Sequence, residues 1–227
     1  MGTVILIRHA RSVANSHNVL AGQIPGVQLD PEGIAQSERL ARALGELPVH
    51  RVFVSPLERC LQTISPWLKN YGAGIAVQSD PRIIEPDYGL WSGRKLDDLA
   101  VEKLWQEVQH NPASVHFPQG ERFLDVWERV GSFYDSLAEL ASNGKNILVI
   151  SHGDIIKFLV ARILKMQFEN FQSLTVEPAS ISVARFSELR GRLLQFNRTD
   201  TTFDTLFDGF DSAEHATLGG EHGSKAR

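Results

Sequence analysis

Short apolar runs separated by helical segments restrict the fold of this chain more than any other feature. The runs at 4–7 and 146–150 have the length and composition of buried strands, and shorter strands are predicted at 51–54 and 75–77. Helices are expected near 31–47, 55–70, 98–110, 121–142 and 154–164, and a last pair of strands at 181–186 and 193–196. Because helices alternate with strands, they would cover both faces of the sheet. The pattern indicates the α/β class, as a three-layer sandwich with a mostly parallel central sheet flanked by helices.

One predicted helix start carries a signature of its own. Ser55-Pro56-Leu57-Glu58 places serine at the N-cap, proline at the first helical position and glutamate at the third. In such a capping box the serine and glutamate side chains bond the free backbone N–H groups at the start of the helix. We therefore assign Ser55 and Glu58 to structure.

Charge and cysteine content exclude several classes of protein. The 227 residues carry 23 basic and 27 acidic side chains, and residues 199–227 contain six of the acids but only two of the bases. The rest of the chain is balanced and has no basic stripe for nucleic acid. No apolar run approaches the length of a membrane span, and the single cysteine, Cys60, excludes an internal disulfide. We expect a cytoplasmic protein with one domain over 1–198 and an acidic, flexible tail over 199–227.

Cationic and imidazole side chains follow three of the predicted strands. Arg8 and His9 follow the first strand, Arg59 lies in the helix after the second, and His152 follows the strand at 146–150. Ligands of open α/β sheets bind beyond the carboxyl ends of the strands. If these three strands are neighbours, guanidinium groups, imidazoles and two helix N-termini converge there, and this combination binds phosphate.

Most of these residues also have a purely structural explanation. Arg8 and His9 could be polar residues at a strand exit, and the ring of His152 could be satisfied by backbone beside a helix start. Arg59 is harder to explain in this way, because a cation near a helix N-terminus is slightly unfavourable. The position of Arg59 therefore favours a functional interpretation.

Six motifs, in the same order, resemble those of the histidine phosphatase superfamily, which includes the cofactor-dependent phosphoglycerate mutases. They lie at 6–15 (LIRHARSVAN), 29–33 (LDPEG), 55–63 (SPLERCLQT), 85–93 (EPDYGLWSG), 120–121 (GE) and 151–153 (SHG). The resemblance covers roughly residues 4–186 and implies a phosphoglycerate mutase-like fold. Three positions depart from the family pattern: Ala10 replaces a glycine, Arg11 replaces a glutamate, and Asp154 stands where many members have a neutral residue.

The resemblance also implies a role for each residue of the expected site. His9 is the implied nucleophile, which attacks phosphorus and forms a phosphohistidine. Glu85 is the implied general acid and base, and Asp154 is its rival because it lies two residues after His152. The phosphoryl oxygens are expected to be held by Arg8, Arg59 and His152. Further substrate contacts are expected from Ser12, Asn15, Gln23 and Arg11.

The implied activity is that of a metal-independent phosphomonoesterase acting on a small phosphorylated metabolite. The arginines would hold the charge, no cofactor is expected, and the eight histidines show no metal-ligand spacing. Mutases of the family carry an insertion rich in arginine, tryptophan and proline after the acid loop, whereas residues 97–118 contain no such run. Mutase-type transfer stays as the alternative, and a catalytically inactive binding or scaffold relative is a third possibility.

The segment at about 95–122 is expected to form a lid-like insertion that selects the substrate. Tyr88, Trp91 and Phe117 are candidates for the wall around the leaving group, with packing of the loop as the alternative for Trp91. The expected partner is the small phosphorylated substrate, without nucleic acid or membrane, and the chain could form a homodimer.

Overall fold

The protein is built on a six-stranded mixed sheet, seen in a computed structural model that describes residues 1–188 and 190–199. The strands are β1 (Gly2–Arg8), β2 (Arg51–Val54), β3 (Ala76–Ser79), β4 (Ile147–Ser151), β5 (Ile181–Ser187) and β6 (Arg190–Arg198). Their order across the sheet is β3-β2-β4-β1-β5-β6. The first four run parallel, whereas β5 is antiparallel to β1 and β6 is antiparallel to β5. The predicted α/β class with a mostly parallel sheet is confirmed.

Helices cover both faces of this sheet. They are α1 (Val13–Ser16), α2 (Pro31–Leu44), α3 (Glu58–Asn70), α4 (Leu96–Ala100), α5 (Lys103–His110), α6 (Phe123–Ser142) and α7 (Gly153–Ile163). Alternate residues of β1 enter different cores: Ile5 and Ile7 pack with α2 and α3, while Val4 and Leu6 pack with α6 and α7. A strand buried on both faces has this continuous apolar sequence, and the result is the predicted three-layer sandwich.

The carboxyl ends of β1, β2 and β4 lie side by side. Because β4 pairs with β1 on one side and with β2 on the other, Ser151 lies beside Arg8, and Ile150 lies beside Val54. This confirms that the three strands followed by cationic and imidazole residues are neighbours. The polar residues after them therefore meet at one edge of the sheet.

The helix start predicted at Ser55 is wrong. α3 begins at Glu58 with Leu57 in the N-cap position, where its side chain offers no cap. The Ser55 hydroxyl lies instead 2.7 Å from Nε2 of His152, and the Glu58 carboxylate accepts a hydrogen bond from the Gly26 N–H. Tertiary partners thus take both side chains that the capping box would have used.

The segment expected to form a lid-like insertion packs against the body of the protein. It contains α4 and α5 in place of the single predicted helix, followed by a short 3-10 turn at Pro112–Ser114. Leu99, Val115 and Phe117 are buried in the core shared with α6 and α7. From this segment, Leu96 reaches the cleft described below. Its role as a lid stays a prediction.

The predicted acidic tail lies outside the described residues except for Thr199, so the domain boundary at 198 and the tail both stay predictions. Within the described part of the chain, no helix is long and apolar enough to cross a bilayer.

Candidate active site

A cleft of about 380 Å³ opens at the edge of the sheet where β1, β2 and β4 end. Its polar wall includes Arg8, His9, Ser12, Asn15, Arg59, Glu85, Tyr88, Asp154 and Lys157. A larger groove of about 590 Å³ lies between α2 and α3, and it contains none of the predicted site residues. The chemistry expected from the sequence therefore belongs to the cleft at the strand ends.

His9 directly follows β1 and is almost completely buried. Its backbone N–H donates to the Ser151 carbonyl at 2.8 Å, which ties it to the end of β4. Its ring Nδ1 lies 2.8 Å from the Ala10 carbonyl oxygen, so Nδ1 must carry the ring hydrogen to bond there. Nε2 then keeps a lone pair, the form that a nucleophilic imidazole needs.

Both imidazoles of the site are held in the neutral form. Burial lowers the pKa of His9 well below its usual value, and the neighbouring His152, Arg59 and Arg8 lower this pKa further. Burial likewise lowers the pKa of His152, helped by the same two arginines and by Arg129. The ring centroids lie 5.2 Å apart. Two neutral rings can share this space with two guanidinium groups, because neither ring adds a positive charge to theirs.

His152 is fully buried at the N-cap position of α7. Its Nε2 lies 2.7 Å from the Ser55 hydroxyl, which itself accepts a hydrogen bond from the Leu57 N–H at 3.5 Å. We assign the hydroxyl hydrogen to Nε2, which places the ring hydrogen on Nδ1. Nδ1 lies 3.1 Å from Oε2 of Glu85, but the geometry does not make a hydrogen bond. His152 therefore presents an unpaired N–H on the side of Glu85.

Two guanidinium groups complete the cationic part of the site. Arg8 ends β1, and a terminal nitrogen of its side chain donates to the Val176 carbonyl. Arg59, in the first turn of α3, is almost completely buried and donates through Nη2 to the Gly22 carbonyl at 2.9 Å. Gly22 has a φ of +52°, and a side chain there would meet Ser92, so only glycine fits easily. The loop that contains Gly22 thereby fixes the Arg59 guanidinium, which belongs to α3.

Three buried nitrogen atoms of the site have no hydrogen-bond partner within the described residues. They are Nε of Arg8, Nη1 of Arg59 and Nδ1 of His152. Buried polar groups are nearly always paired, and an unpaired one is costly. Two of these donors are charged, and the N-terminus of α7 adds its partial positive charge. The arrangement favours a bound oxyanion with several acceptor oxygens.

The Glu85 carboxyl enters the site from the loop that follows the 3-10 turn at Pro81–Ile83. Its Oε2 lies 3.6 Å from Nη2 of Arg59, in addition to the contact with His152. The Glu85 carbonyl accepts hydrogen bonds from Nε2 of Gln23 at 2.8 Å and from Nη2 of Arg129 at 3.4 Å. The loop is therefore fixed while the carboxyl lines the cleft, where it can exchange a proton with a bound molecule.

Asp154, the rival carboxyl, lines the same cleft from the first turn of α7 but has both oxygens engaged. Its Oδ2 accepts a hydrogen bond from the Tyr88 hydroxyl at 3.0 Å, and its Oδ1 lies 3.3 Å from Nζ of Lys157. The Tyr88 hydroxyl also lies 3.4 Å from Oε1 of Glu85. Glu85 is thus the carboxyl next to the unpaired cationic donors, and the geometry favours it for the acid position.

Two of the four predicted substrate contacts lie in the cleft. Ser12 and Asn15 line it, and they bond each other in a capping box at the start of α1. Gln23 is not among the residues that line the cleft, because its amide is used to hold the Glu85 carbonyl. The structure shows Gln23 supporting the loop that carries Glu85, and its expected substrate contact stays a prediction.

Three other side chains expected near the substrate lie elsewhere. Nε of Arg11 pairs with Oδ2 of Asp30 at 2.7 Å, because this carboxylate caps α2 beside it. Arg11 is not among the residues that line the cleft, and its expected substrate contact stays a prediction. Trp91 and Phe117 are buried in the core, so Tyr88 alone among the three aromatic candidates lines the cleft of the described structure.

The fold also creates a possible metal-ligand set that the sequence spacing did not predict. Ligand atoms of His9, Glu85 and His152 all lie within 4.8 Å of one another. Distance alone would allow a metal ion there. Arg8 and Arg59 border the same space, however, and their charges disfavour a cation and favour an anion.

A neutral imidazole beside an oxyanion pocket can take up a phosphoryl group, so the fold and the site place the chain among α/β phosphoryl-transfer proteins. Comparison with known proteins then gives the family. Residues 4–199 match the histidine phosphatase superfamily (branch 1), and the chain belongs to it. The resemblance carried by the six motifs is confirmed.

The relatives of this chain include phosphatases and mutases. It is 29% identical over 206 residues to phosphoserine phosphatase 1 of Hydrogenobacter thermophilus, a match that covers 88% of this chain and 93% of the relative. It is 26% identical over 208 residues to the 2,3-bisphosphoglycerate-dependent phosphoglycerate mutase of Chlamydia pneumoniae, covering 77% and 89%. The structure of the alpha-ribazole phosphatase from Shigella flexneri is similar with a TM-score of 0.76 at 27% identity, covering 87% and 96%.

Several polar side chains of the site were not predicted from the sequence, among them Ser55 and Lys157. Ser55 directly follows β2, as His9 directly follows β1, and this strand-end position could have indicated it. Lys157 lines the cleft and donates to Oε1 of Gln172 at 3.0 Å. It lies one helical turn after Asp154, so helical spacing from that residue could have placed it on the same face.

Proposed function

We propose that the protein is a metal-independent phosphomonoesterase that hydrolyses a small phosphorylated metabolite through a phosphohistidine at His9. The observation that carries this proposal is the set of three buried donors that have no hydrogen-bond partner in the described part of the chain, beside a neutral His9 ring. A phosphoryl group would satisfy these donors and bring its phosphorus to the nucleophile. Membership of the histidine phosphatase superfamily supports the same chemistry.

In the first step, the Nε2 lone pair of His9 attacks phosphorus, and the bond from phosphorus to the ester oxygen breaks. The charge on the equatorial oxygens is stabilised by Arg8, Arg59 and His152. Glu85 starts protonated and gives its proton to the departing oxygen, so the leaving group departs as an alcohol. The product of this step is the phosphohistidine.

In the second step, water attacks the phosphohistidine, and the bond from phosphorus to nitrogen breaks. Glu85, now a carboxylate, takes a proton from that water, so inorganic phosphate leaves and the enzyme returns to its starting state. Asn15 is a further donor in this account. Its Oδ1 accepts from the backbone and side chain of Ser12, which leaves the amide nitrogen for phosphate.

Hydrolysis is favoured over transfer between two positions of one metabolite. A mutase must keep water away from the phosphohistidine, and residues 97–118 lack the insertion expected of the mutases. The mutase among the relatives keeps phosphoglycerate mutase-type transfer as the second candidate. The cleft of about 380 Å³ suits a small metabolite, and the phosphatases among the relatives suggest phosphoserine and alpha-ribazole phosphate for a test panel.

The direct test is release of inorganic phosphate from a panel of phosphomonoesters at neutral pH with EDTA present. We expect turnover that the chelator does not change, and a loss on the order of a thousandfold or more in His9→Ala. Strict metal dependence, or activity that survives His9→Ala, would contradict the proposal. Exchange between 2- and 3-phosphoglycerate without phosphate release would instead select the mutase, and phosphate binding without turnover would indicate an inactive binding relative.

A further inference from the structure

We propose that Tyr88 and Asp154 form a hydrogen-bonded chain that keeps a proton on Glu85 until the leaving group takes it. The inference rests on the proposed function, because Glu85 needs a proton only if it acts as the general acid. Tyr88 and Asp154 are positioning residues in this account, since they act through Glu85 and not on the reacting atoms.

The Tyr88 hydroxyl lies between two carboxyl groups. It is 3.0 Å from Oδ2 of Asp154 and 3.4 Å from Oε1 of Glu85. A hydroxyl has one hydrogen, so it can donate to only one of the two at a time. The shorter distance assigns that hydrogen to Asp154. The lone pairs of the hydroxyl then face Glu85, and only a protonated Glu85 can complete the chain by donating to them.

The hydrogen-bonded chain requires that Tyr88 keeps its hydroxyl hydrogen and that Asp154 is a carboxylate, and the neighbours of both residues favour these states. Burial raises the pKa of Tyr88 well above its usual value, and the carboxylate of Asp154 raises it further, so the hydroxyl keeps its hydrogen. Lys157 lies 3.3 Å from Asp154 and also donates to Gln172. A cation at that distance favours the charged acceptor at the end of the chain.

Arg59 opposes protonation of Glu85, because a nearby cation favours the carboxylate form. The charged and titratable side chains near the Glu85 residue are Arg59, Cys60, Arg129, His9, His152, Tyr88 and Asp154. Burial raises the pKa of Cys60 to about 12, so this thiol is neutral and adds no charge. Arg59, 3.6 Å from Oε2, favours the carboxylate form, whereas His152 is neutral and adds no charge. A general acid in this position needs an opposing influence to start protonated. Asp154 supplies it through Tyr88, in the way that two carboxyls sharing one site resist double ionisation.

The test compares kcat/KM, as a function of pH, for an alkyl phosphate from the substrate panel and for p-nitrophenyl phosphate. The alkyl ester needs a proton on its leaving oxygen, whereas the activated aryl ester does not. In Tyr88→Phe and Asp154→Asn, we expect the alkyl value to fall about tenfold near neutral pH and the aryl value to stay within about threefold. The alkaline limb of the alkyl profile should move to lower pH by about one unit, because fewer molecules then carry the proton.

Two matched variants control for general effects. Tyr134→Phe removes a partly buried tyrosine hydroxyl on α6, and Asp125→Asn removes an exposed carboxylate at the start of the same helix. Neither should move the alkaline limb. Tyr88 packs edge-to-face on Phe117, so Asp154→Asn carries the test if Tyr88→Phe does not fold.

An alkaline limb that stays in place in Asp154→Asn overturns the proposal. A loss of alkyl turnover in Asp154→Asn as complete as that in Glu85→Gln also overturns it, because Asp154 would then be the acid itself. Two other results would refute the proposed function itself. They are activity that survives in His9→Ala, and an equal loss of kcat/KM for the alkyl and the aryl ester in Glu85→Gln. With those two variants behaving as expected and the limb unmoved, only the hydrogen-bonded chain is refuted.

Discussion

Ser55 and Ala10 set the hydrogen positions on the two imidazole rings of the site. The Ser55 hydroxyl faces Nε2 of His152, and the Ala10 carbonyl accepts from Nδ1 of His9. As a result one ring offers an N–H and the other offers a lone pair toward the substrate. At the scale of single residues, the chemistry of the site therefore depends on the hydrogen positions as much as on the ring positions.

Replacing Ser55 by alanine removes the hydroxyl 2.7 Å from Nε2 of the buried His152 and leaves that nitrogen only the Cys60 sulfur, 3.5 Å away. We expect kcat/KM for an aryl phosphate to fall about tenfold and the free energy of unfolding to fall by about 1–3 kcal/mol, the cost of an unsatisfied buried group. Ser65→Ala is the matched control, because that hydroxyl bonds the Leu61 carbonyl on the exposed side of α3. Wild-type kinetics in Ser55→Ala would remove Ser55 from the account.

The lowered pKa values of His9 and His152 can be measured directly. Both rings should stay neutral at pH 6.5, where an ordinary histidine is half protonated, because burial and neighbouring cations disfavour the charged form. A titration followed by the nitrogen chemical shifts of the two rings gives the midpoints. Midpoints at or above 6.5 would contradict the electrostatic description of the site.

At the scale of elements, Arg129 on α6 ties the acid loop to the body of the protein. Its guanidinium pairs with both oxygens of Glu121, at 3.0 and 3.1 Å, and donates to the Arg82 carbonyl at 2.8 Å as well as to the Glu85 carbonyl. Glu121 in turn accepts from the Asp87 N–H. α6 therefore fixes the loop that carries Glu85 without reaching the cleft.

Arg129→Lys keeps the charge but cannot make this planar, multiple contact. We expect kcat/KM for alkyl phosphates to fall about tenfold and that for aryl phosphates to fall less, because a loosened loop misplaces the acid. Arg122→Lys, at the exposed residue before α6, is the control. Equal losses with both kinds of ester would show that Arg129 serves stability and not the acid loop.

The elements of the fold could be predicted from the sequence, but several of their ends could not. Continuous apolar runs identify the central strands because those strands are buried on both faces. α3 starts at Glu58 because a histidine almost one hundred residues away takes the Ser55 hydroxyl. The helix predicted at 98–110 divides where Glu102 bonds the Trp91 ring nitrogen. Local patterns carry no information about such distant partners.

At the scale of the whole molecule, the sheet order brings together site residues that are far apart in the sequence. The motifs identified Arg8, His9, Arg59, Glu85 and His152. The adjacent ends of β1, β2 and β4 explain why the arginines and histidines meet, and the loop after β3 brings Glu85 to Arg59 and His152. Arg11 lies only two residues after His9 in the sequence, but its side chain pairs with Asp30. Nearness in sequence to His9 therefore did not place Arg11 in the cleft. Homodimer formation, testable by light scattering, and a cytoplasmic location stay predictions.

The two buried imidazoles also make the stability of the molecule depend on pH. Their pKa values are lower in the folded state than the value of 6.5 in the unfolded chain, so below pH 6.5 the unfolded chain binds more protons. Their contribution is fully present above pH 6.5 and is lost as the pH falls toward the folded-state values. The loss is up to about 1.4 kcal/mol per histidine for each pH unit.

Urea unfolding at neutral and mildly acid pH measures this effect. We expect His9→Gln to lose less free energy of unfolding on acidification than the wild-type protein, whereas His17→Gln, at an exposed position in the loop after α1, should match the wild type. Identical pH dependence in wild type and His9→Gln would show that the buried ring does not titrate as described.

The most direct test of the central claim is to trap the covalent intermediate during turnover. The reaction is quenched in alkali, which preserves a phosphorus–nitrogen bond, and the phosphorylated peptide is mapped by mass spectrometry. The account predicts one acid-labile phosphate, carried by His9 and absent from His9→Ala. A phosphate on any other side chain, or turnover without a covalent adduct, would contradict it.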